Sequence, residues 1–261
     1  MGRFDGYVVV VTGSAHGIGA ATVERFVSEG ARVAAVDIDA EANELTAARV
    51  VGNHRGSEVV PYTCDVADAD AQADVFADVV RRWSRLDVLV TSAGIYVGGP
   101  LEEIPPDRWE SIVAVNLTGV LVSNRLAAGP MKAQGSGSII NIASMAAKTS
   151  WPQSAEYSAT KSGVVGITRS VAMELGPHGI TANALCPGNT LTAMVRQVAE
   201  EIGATLGMTG PQWLEMRAAD TAVGRLAEPW EMAGIIAFLA SADARYITGQ
   251  AIEADGGLIL S

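Results

Sequence analysis

Short apolar runs that alternate with helix-length segments constrain the fold of this chain more than any other feature. Val8–Val11 and Val88–Val90 are apolar at every position rather than at alternate positions. Such runs are typical of strands that are buried on both faces, as in a parallel sheet covered by helices. Seven strands are predicted along the 261 residues, at Tyr7–Thr12, Arg32–Val36, Glu58–Tyr62, Val88–Ser92, Ser138–Ala143, Ile180–Leu185 and Gln250–Ala254.

The segments between these strands have the length and the apolar spacing of amphipathic helices. Asp39 and Asp68 stand at expected N-cap positions, and Gly30 stands where the first helix should end. The alternation indicates an α/β fold, a Rossmann-type doubly wound parallel sheet of about seven strands with helices on both faces. The predicted helices are Gly17–Glu29, Ala40–Val50, Ala69–Trp83, Asp107–Ala133, Glu156–Leu175 and Trp230–Leu239.

No linker, internal repeat or low-complexity tract interrupts this alternation, so residues 1–261 are expected to form a single domain. The stretch 189–220 departs from the regular pattern, because it is long and irregular and separates the sixth strand from the last helix. An insertion at the carboxyl end of a sheet is a candidate lid over a substrate. A surface excursion without a function is the alternative.

The acidic composition limits the classes of partner. Lysine and arginine number 18 against 29 acidic residues, which gives a net charge of −11, and no basic cluster offers a surface for nucleic acid or anionic lipid. No apolar run approaches the roughly 18 residues of a membrane helix, and the N-terminus lacks the pattern of a signal peptide. Cys64 and Cys186 match no disulfide framework and no metal-ligand spacing. We therefore expect a cytoplasmic protein that binds no metal, no nucleic acid and no membrane.

A glycine-rich turn joins the first strand to the first helix. It reads Thr12-Gly13-Ser14-Ala15-His16-Gly17-Ile18-Gly19, a G-x-x-x-G-x-G spacing. Glycine lets the backbone approach a pyrophosphate closely, and the helix N-terminus offers unpaired N–H groups to the phosphates. The turn predicts a dinucleotide site, although glycines at a strand-to-helix turn also serve packing alone.

Asp37 ends the second strand, eighteen residues after Gly19. A carboxylate at this position can accept hydrogen bonds from the adenosine ribose hydroxyls. It would also repel a 2′-phosphate, and the surrounding Val36–Asp39 contains no Lys or Arg. Asp37 therefore favours NAD over NADP, with a turn-capping aspartate as the alternative.

Tyr157 and Lys161 are four residues apart in a predicted helix, so their side chains share one face. A phenol has an ordinary pKa of about 10 and is a poor base near neutral pH. A nearby ammonium lowers that pKa, and so does the positive ring of an oxidised nicotinamide. The pair is a candidate acid/base centre, and a solvated i,i+4 pair is the alternative.

Two further polar residues are candidates for the same centre. Ser144 follows the predicted strand Ser138–Ala143, at the sheet edge where doubly wound folds bind ligands. Asn116 is an amide in an otherwise apolar helix. A serine at a strand end is commonly a cap, and Asn116 can simply satisfy a backbone group, so spacing alone leaves both interpretations open.

Taken together, the motifs resemble those of the short-chain dehydrogenase/reductase family, and the resemblance covers essentially the whole chain. The C-terminal stretch from Gly224 to Gly257 is similar to that of the NAD-linked polyol, diol and secondary-alcohol dehydrogenases of this family. The motifs occur in the family's order, as Thr12–Gly19, Asp65-Val66, Ala93-Gly94, Asn116, Ser144, Tyr157-x-x-x-Lys161 and Pro187-Gly188.

The resemblance implies a catalytic tetrad. Tyr157 would be the general acid/base for the alcohol oxygen, and Ser144 would hydrogen-bond that oxygen as charge develops on it. Lys161 would bind the nicotinamide ribose and lower the pKa of Tyr157. Asn116 would position a water in the proton relay.

The resemblance also implies a site for NAD. Asp65 would contact the adenine amino group, and Val66 would pack against its ring. The Pro187-Gly188 turn and Thr190 would meet the nicotinamide carboxamide, and Thr192 the phosphates. The complete set of implied cofactor contacts is Gly13, Gly17, Ile18, Gly19, Asp37, Asp65, Val66, Ala93, Gly94, Tyr157, Lys161, Pro187, Gly188, Thr190 and Thr192.

Two positions depart from the family pattern. Thr91-Ser92 replaces the usual Asn-Asn before Ala-Gly, where an Asn side chain braces the central sheet, so we expect a remodelled contact there. Asn189-Thr190 follows the Pro-Gly turn, where Val or Ile often occupies the second position. Neither change removes a proton-transfer group.

The wall expected around the substrate is mostly apolar and contains one or two amides. It suits a secondary alcohol that carries further hydroxyls, or a small cyclic alcohol, with sugar alcohols and vicinal diols as the leading class. The substrate-binding residues that the resemblance implies are Ser144, Trp151, Gln153, Tyr157 and Asn189. Further pocket candidates, each of which fits an ordinary core position equally well, are Tyr96, Met145, Met194, Met208 and Trp213.

Three alternatives remain open. A 3-oxoacyl-thioester reductase would share the fold and the tetrad, but it usually requires NADP and a basic site for its carrier. A dehydrogenase of steroids or other hydrophobic hydroxy compounds would use the Trp and Met side chains. A non-enzymatic NAD-binding regulator would have no use for Tyr157 and Lys161.

The family also commonly forms tetramers through two long helices, here Asp107–Ala133 and Glu156–Leu175, so a homotetramer is expected.

Overall fold

One parallel sheet organises the chain. The computed structural model describes residues 2–149 and 151–259, so the ends of the expected 1–261 domain, and Ser150, lie outside the described residues. Within those ranges the seven predicted strands are confirmed, with small changes at their ends. They are β1 Val8–Thr12, β2 Arg32–Asp37, β3 Val59–Thr63, β4 Val88–Thr91, β5 Gly137–Ile142, β6 Ile180–Pro187 and β7 Ala251–Ala254.

The strand order creates a binding crevice at one edge of the sheet. The order is β3-β2-β1-β4-β5-β6-β7, and every neighbouring pair is parallel. The winding reverses between β1 and β4, which is the point where doubly wound sheets bind ligands outside the carboxyl ends of their strands. Thr12 is in register with Thr91, and Thr91 is in register with Asn141, so β1, β4 and β5 end side by side.

Helices cover both faces of the sheet, as predicted. Asp39 accepts a hydrogen bond from the backbone N–H of Ala42, and Asp68 accepts two from the first turn of its helix, so both expected N-caps are confirmed. Gly30 has a φ of +96° just after the first helix. The helices are α1 Gly17–Ser28, α2 Ala40–Asn53, α3 Ala69–Trp83, α4 Pro106–Val113, α5 Gly119–Gln134, α6 Ala155–Leu175, α7 Ala193–Thr205, α8 Gly210–Ala219 and α9 Pro229–Ala240.

The core lies in two layers, one on each face of the sheet. Successive side chains of a strand point to opposite faces. Val9 and Val11 therefore join the cluster under α1 and α9, whereas Val8 and Val10 join the cluster under α3 and α5. All four side chains are fully buried, which explains why β1 is apolar at every position.

The predicted helix Asp107–Ala133 is interrupted. A wider turn at Ala114–Thr118 joins α4 to α5, and the N–H of Gly119 bonds to the carbonyl of Ala114, five residues back.

The expectation that no apolar stretch approaches membrane length also needs correction. The continuous helical stretch Pro106–Gln134 has 29 residues and a mean hydropathy of 1.4, enough by length and composition alone to cross a membrane. A core helix passes the same test, and α5 packs on β4 and β5 between α3 and α6.

The stretch 189–220 is not irregular, contrary to the prediction, because it contains α7 and α8. Thr192 caps α7 by accepting a hydrogen bond from the N–H of Val195. Thr209 and Gln212 form a capping box at the start of α8, with Pro at the first turn. The spacing Thr209-x-x-Gln212 was a readable signal for this second helix.

A buried hydrogen-bond network includes Thr91, at the position where the resemblance leads us to expect a remodelled contact. The Thr91 hydroxyl donates to Oδ1 of Asn141 at 2.8 Å, and Asn124 Nδ2 donates to the same oxygen at 2.8 Å. Asn141 Nδ2 donates in turn to Asn124 Oδ1 and to the hydroxyl of Thr168. The network joins β4, β5, α5 and α6 directly behind the crevice.

Candidate active site

Lys161 and Ser144 meet at the carboxyl end of β5. The Nζ of Lys161, which is buried in the middle of α6, donates a hydrogen bond to the carbonyl oxygen of Ile142 at 2.9 Å. Ile142 is the last residue of β5, and Ser144 follows two positions later. The Ser144 hydroxyl accepts a hydrogen bond from the N–H of Ala146 at 3.1 Å, so the serine is held as the cap of a short turn. Its capping and catalytic interpretations are compatible, because a hydroxyl that accepts one bond still has a proton to donate.

Tyr157 lies on the same side of α6, with the Nζ of Lys161 5.7 Å from the centre of its ring. Burial raises the pKa of the Tyr157 phenol to about 12, a hydrogen bond with Ser144 opposes the rise, and Tyr96 adds to it. The Tyr96 ring meets the Tyr157 ring edge-on, with centroids 5.2 Å apart. Without a bound cofactor beside it, this phenol is protonated at neutral pH.

Burial shifts the pKa of Lys161 downward, in the direction opposite to that of Tyr157. Burial lowers the pKa of the Lys161 ammonium from 10.5 to about 8. The cost of desolvating the charge accounts for this shift. Lys161 therefore loses its proton near pH 8 in the unliganded protein.

Asn116 lies at the centre of the widened turn between α4 and α5, and it is fully buried. Its side chain accepts a hydrogen bond from the N–H of Ile95 and donates one to the carbonyl of Ile95, both at 2.8 Å. The amide thus holds the backbone after β4 in place. Gly94 completes this arrangement, since a Cβ at that residue would approach Asn116 Oδ1 to 3.3 Å and Lys161 Nζ to 3.5 Å.

Asp37 braces the glycine-rich turn. Its two carboxylate oxygens accept hydrogen bonds from the N–H groups of Ala15, at 2.9 Å, and of Asp39, at 3.0 Å. This is the turn-capping role considered as the alternative. Each oxygen keeps a free lone pair, so the carboxylate can still accept bonds from a ribose.

The start of α1 faces the start of α7 across a cleft. Gly17 has a φ of +53°, and a Cβ there would lie 2.9 Å from the Thr192 side chain. A cavity of about 480 Å³ adjoins Gly17 and Thr192 and extends along α1 to Glu24, with Arg49 and Trp230 also in its lining. Two helix N-termini at one cleft offer a favourable site for phosphate groups.

The other predicted cofactor residues surround the same edge of the sheet. Gly13 follows β1, and Gly19 and Ile18 are in the first turn of α1. The N–H of Ala93 bonds to the Thr12 hydroxyl, which ties the segment after β4 to the end of β1. Asp65 is exposed after β3, and Val66 is buried, with its carbonyl accepting a bond from Gln72.

Beyond Pro187, the last residue of β6, a polar group lacks a partner. The N–H of Gly188 bonds to the carbonyl of Ala254, and Thr190 is buried, with its hydroxyl bonded to the carbonyl of Gly188. Between them, the Asn189 Nδ2 is buried without a hydrogen-bond acceptor among the described residues. A buried unpaired donor is costly, so an acceptor supplied by a ligand would satisfy it.

The loop before Tyr157 carries the remaining substrate candidates. Gln153 has a φ of +61°, which is rare for a residue with a side chain and recurs at functional sites. Its carbonyl accepts a bond from the N–H of Gly99 at 3.0 Å, and Trp151 is partly buried nearby. Five further residues fit either a pocket position or a core position by sequence. Trp213 is buried, and Tyr96 and Met145 are partly buried. Met194 and Met208 are more than a third exposed.

One buried ion pair beside the site was missed by the sequence analysis. Arg108 Nε in α4 donates to Glu156 Oε1 in α6 at 2.7 Å, and the Glu156 side chain is only 1% exposed. Glu156 immediately precedes Tyr157. The two residues are 48 positions apart, so no local spacing pointed to the pair.

Comparison with known proteins identifies the family. A family model described as enoyl-(acyl carrier protein) reductase matches residues 13–259. The D-threitol dehydrogenase of Mycolicibacterium smegmatis is 38% identical over 259 residues, which cover 98% of this chain and 94% of that protein. The 3-oxoacyl-(acyl-carrier-protein) reductase FabG of Thermotoga maritima is 36% identical, with 99% and 100% covered. The cis-4-hydroxycyclohexanecarboxylate dehydrogenase of Sinomonas cyclohexanicum is 37% identical, with 96% and 95% covered.

Two solved structures share the whole fold. Levodione reductase superposes with a TM-score of 0.94 at 32% identity and 98% coverage of both chains. A single-substitution variant of actinorhodin polyketide ketoreductase, solved with NADPH, superposes with a TM-score of 0.94 at 35% identity and 99% coverage of both chains. The protein therefore belongs to the short-chain dehydrogenase/reductase family of oxidoreductases, whose members bind a nicotinamide cofactor.

Proposed function

We propose that this protein is an NAD-dependent oxidoreductase that reversibly oxidises a secondary alcohol to a ketone. The observation that carries the proposal is the convergence of Ser144, Tyr157 and Lys161 at the end of β5, with the Lys161 ammonium bonded to Ile142. Sugar alcohols, vicinal diols and small cyclic alcohols are the proposed substrate class.

The residues present suit a nicotinamide dinucleotide. The start of α1 at Gly17 lies close to Thr192, the N-cap of α7, and two adjacent helix N-termini suit a pyrophosphate. The unpaired Asn189 Nδ2 lies next to the Pro187-Gly188 turn, where the nicotinamide carboxamide is expected. When bound, NAD supplies the hydride acceptor and a positively charged ring.

Side chains of the protein itself then carry out the proton transfer. The Ser144 hydroxyl donates a hydrogen bond to the substrate oxygen, and Tyr157 Oη removes the hydroxyl proton during oxidation or returns it during reduction. Burial holds the pKa of Tyr157 near 12 in the unliganded protein. A cationic cofactor beside the ring would lower the pKa of the phenol from this value toward the working range, and a charged Lys161 favours the phenolate in the same sense.

Asn116 contributes to the site by holding the backbone of Ile95 in place. Its side chain is bonded to Ile95 on both sides, so we propose that the widened turn around Asn116, rather than a free amide, positions the relay water. The bonds to Ile95 also keep Gly94 beside Lys161.

NAD is the proposed cofactor because Asp37 ends β2 without a basic neighbour in Val36–Asp39. A 2′-phosphate about 4 Å from this carboxylate would be repelled by roughly 4 kcal/mol. The NADPH in the actinorhodin ketoreductase structure belongs to that protein and makes cofactor choice the first property to measure here.

The polar groups in the substrate region support a hydroxylated or cyclic alcohol. Asn189 and Gln153 offer amides, while Trp151 and Tyr96 offer aromatic surface. A relative is named for D-threitol, a polyol, and another for a hydroxycyclohexanecarboxylate, a cyclic alcohol.

A dehydrogenase of larger hydrophobic alcohols is the second candidate, favoured by the edge-on Tyr96 and Tyr157 rings. Reduction of 3-oxoacyl thioesters has support from the FabG relative, but the net charge of −11 offers little attraction to an acidic carrier.

We further propose a homotetramer in the cytoplasm. Exposed Trp109, Leu121 and Met173 on α4, α5 and α6 supply apolar surface for subunit contacts, and both cysteines are free.

The test is a comparison of initial rates with NAD and with NADP across polyols, vicinal diols, cyclic alcohols, steroid alcohols and 3-hydroxyacyl thioesters. The proposal predicts turnover of a polyol, diol or small cyclic alcohol with NAD. Turnover of steroid alcohols alone would favour the second candidate. Preference for NADP with thioesters would replace the proposal by the carrier-linked reductase.

A further inference from the structure

Arg217 in α8 lies between two tryptophan rings. Its guanidinium carbon is 5.7 Å from the centre of the Trp151 ring and 5.8 Å from the centre of the Trp213 ring. Both distances are within the range of a cation–π contact. The Arg217 side chain is 13% exposed and Trp213 is buried, so water is largely excluded from the stack.

The two rings belong to different parts of the molecule. Trp213 precedes Arg217 by one helical turn in α8, within the segment 189–220, whereas Trp151 lies in the loop that leads into Tyr157. Asp220 accepts a hydrogen bond from Arg217 Nη1 at 2.7 Å and fixes the guanidinium from the end of the helix. The stack therefore joins the segment 189–220 to the loop beside the candidate base.

The loop that receives this contact is attached to the active site on its other side. The carbonyl of Gln153 accepts a bond from Gly99, and the Ser154 hydroxyl lies 3.3 Å from the Tyr96 hydroxyl. Tyr96 in turn contacts the ring of Tyr157. A displacement of Trp151 would therefore change the positions of Ser154 and Tyr96, which lie beside the Tyr157 phenol.

We propose that Arg217 is a positioning residue that clamps α8 against the Trp151 loop and so closes the segment 189–220 over the substrate. The clamp acts on α8 and retains substrate, whereas the predicted dinucleotide contacts within this segment, Thr190 and Thr192, lie before α7. The inference deepens the proposed function. Its kinetic test rests on that function, and its structural test does not.

The structural test is amide hydrogen exchange in the unliganded protein, comparing wild type with Arg217→Gln, Trp151→Leu and the double variant. Trp151→Leu is expected to raise exchange in Gly210–Ala219 about tenfold, and Arg217→Gln at least as much, because it also loses the contacts with Trp213 and Asp220. The double variant should exchange no faster than Arg217→Gln, since both changes remove the contact between Arg217 and Trp151. Arg217→Lys, which keeps a cation, should recover part of the protection. Arg196→Gln is the matched control, since it removes the same charge from an exposed position on α7.

The kinetic test uses the alcohol that wild type oxidises best. Arg217→Gln should raise KM about tenfold, equivalent to about 1.4 kcal/mol, with kcat and the Kd of NAD within about twofold of wild type. Thermal unfolding of each variant checks that the fold is retained.

Unchanged exchange in Gly210–Ala219, or additive effects of the two single changes, would overturn the clamp. An increase in KM confined to anionic substrates, with unchanged exchange, would instead make Arg217 a direct substrate ligand. If no alcohol is turned over, the proposed function fails, and the exchange experiment still decides the clamp.

Discussion

Lys161 donates a hydrogen bond from Nζ to the carbonyl oxygen of Ile142, the last residue of β5. This bond fixes the charged end of the Lys161 side chain against the strand that leads to Ser144. It also holds the ammonium in a site where burial lowers its pKa to about 8. The sheet therefore sets the position of the ammonium before any ligand binds, at a cost in stability while Lys161 is charged.

That cost predicts a pH-dependent difference between wild type and Lys161→Met. The folded protein loses the Lys161 proton near pH 8, whereas the unfolded chain keeps it to about 10.5, so unfolding takes up a proton between these values. The free energy of unfolding of wild type should therefore rise with pH relative to the variant, by about 3 kcal/mol between pH 7 and pH 10.5. Urea unfolding of both proteins across this range measures the difference, and a constant difference would contradict the lowered pKa.

Asp37→Asn should relax the choice of cofactor. Removal of the charge lifts the repulsion of a 2′-phosphate, so the ratio of kcat/KM with NADP to that with NAD should rise at least about tenfold. Asp39→Asn is the control, because it removes a charge two residues away while asparagine still caps α2. An equal rise in both variants would show that general charge, rather than the position of Asp37, governs the choice.

Asn189→Ala separates a ligand contact from a structural one. Its Nδ2 has no acceptor among the described residues, so its loss should change the free energy of unfolding by less than about 1 kcal/mol. The KM for alcohol or the Kd for NAD should rise about tenfold or more, as expected when a bond to a ligand is lost. Marked destabilisation with unchanged kinetics would mean that Asn189 serves the fold alone.

Much of the fold could be predicted because its signals are local. Continuous apolar runs such as Val8–Val11 identify the buried strands, and Asp39 and Asp68 cap their helices as expected. The strand order and the helices on both faces follow from the alternation. The two helices in the stretch 189–220 were missed because their mixed Met, Thr and Gly content hid the capping box at Thr209.

The site could be predicted only in part. Tyr157 and Lys161 are on one helix, so their spacing brings them together. The roles of Asn116 and Arg217 depend on contacts with Ile95 and Trp151, which lie far from them along the chain. Periodicity carries no information on such contacts, and only the tertiary structure shows them.

Asn141→Ala should destabilise the fold without touching the cofactor. Asn141 is fully buried and bonded to Thr91, Asn124 and Thr168, so its removal leaves several buried polar groups unpaired. The expected loss is about 3 kcal/mol in the free energy of unfolding. Urea unfolding measures it, and a loss below about 1 kcal/mol would show that the network does not brace the sheet.

The most direct test of the account compares the rate of NADH formation by wild type and by Tyr157→Phe, with the best polyol, diol or cyclic alcohol as substrate. Calorimetric titration with NAD, run on both proteins, shows that the variant still binds cofactor. The account predicts measurable turnover by wild type and a loss of at least about 10³-fold in the variant, with NAD affinity retained, because the phenol is the proton acceptor. Comparable turnover by both proteins would contradict the role of Tyr157 and the mechanism built on it.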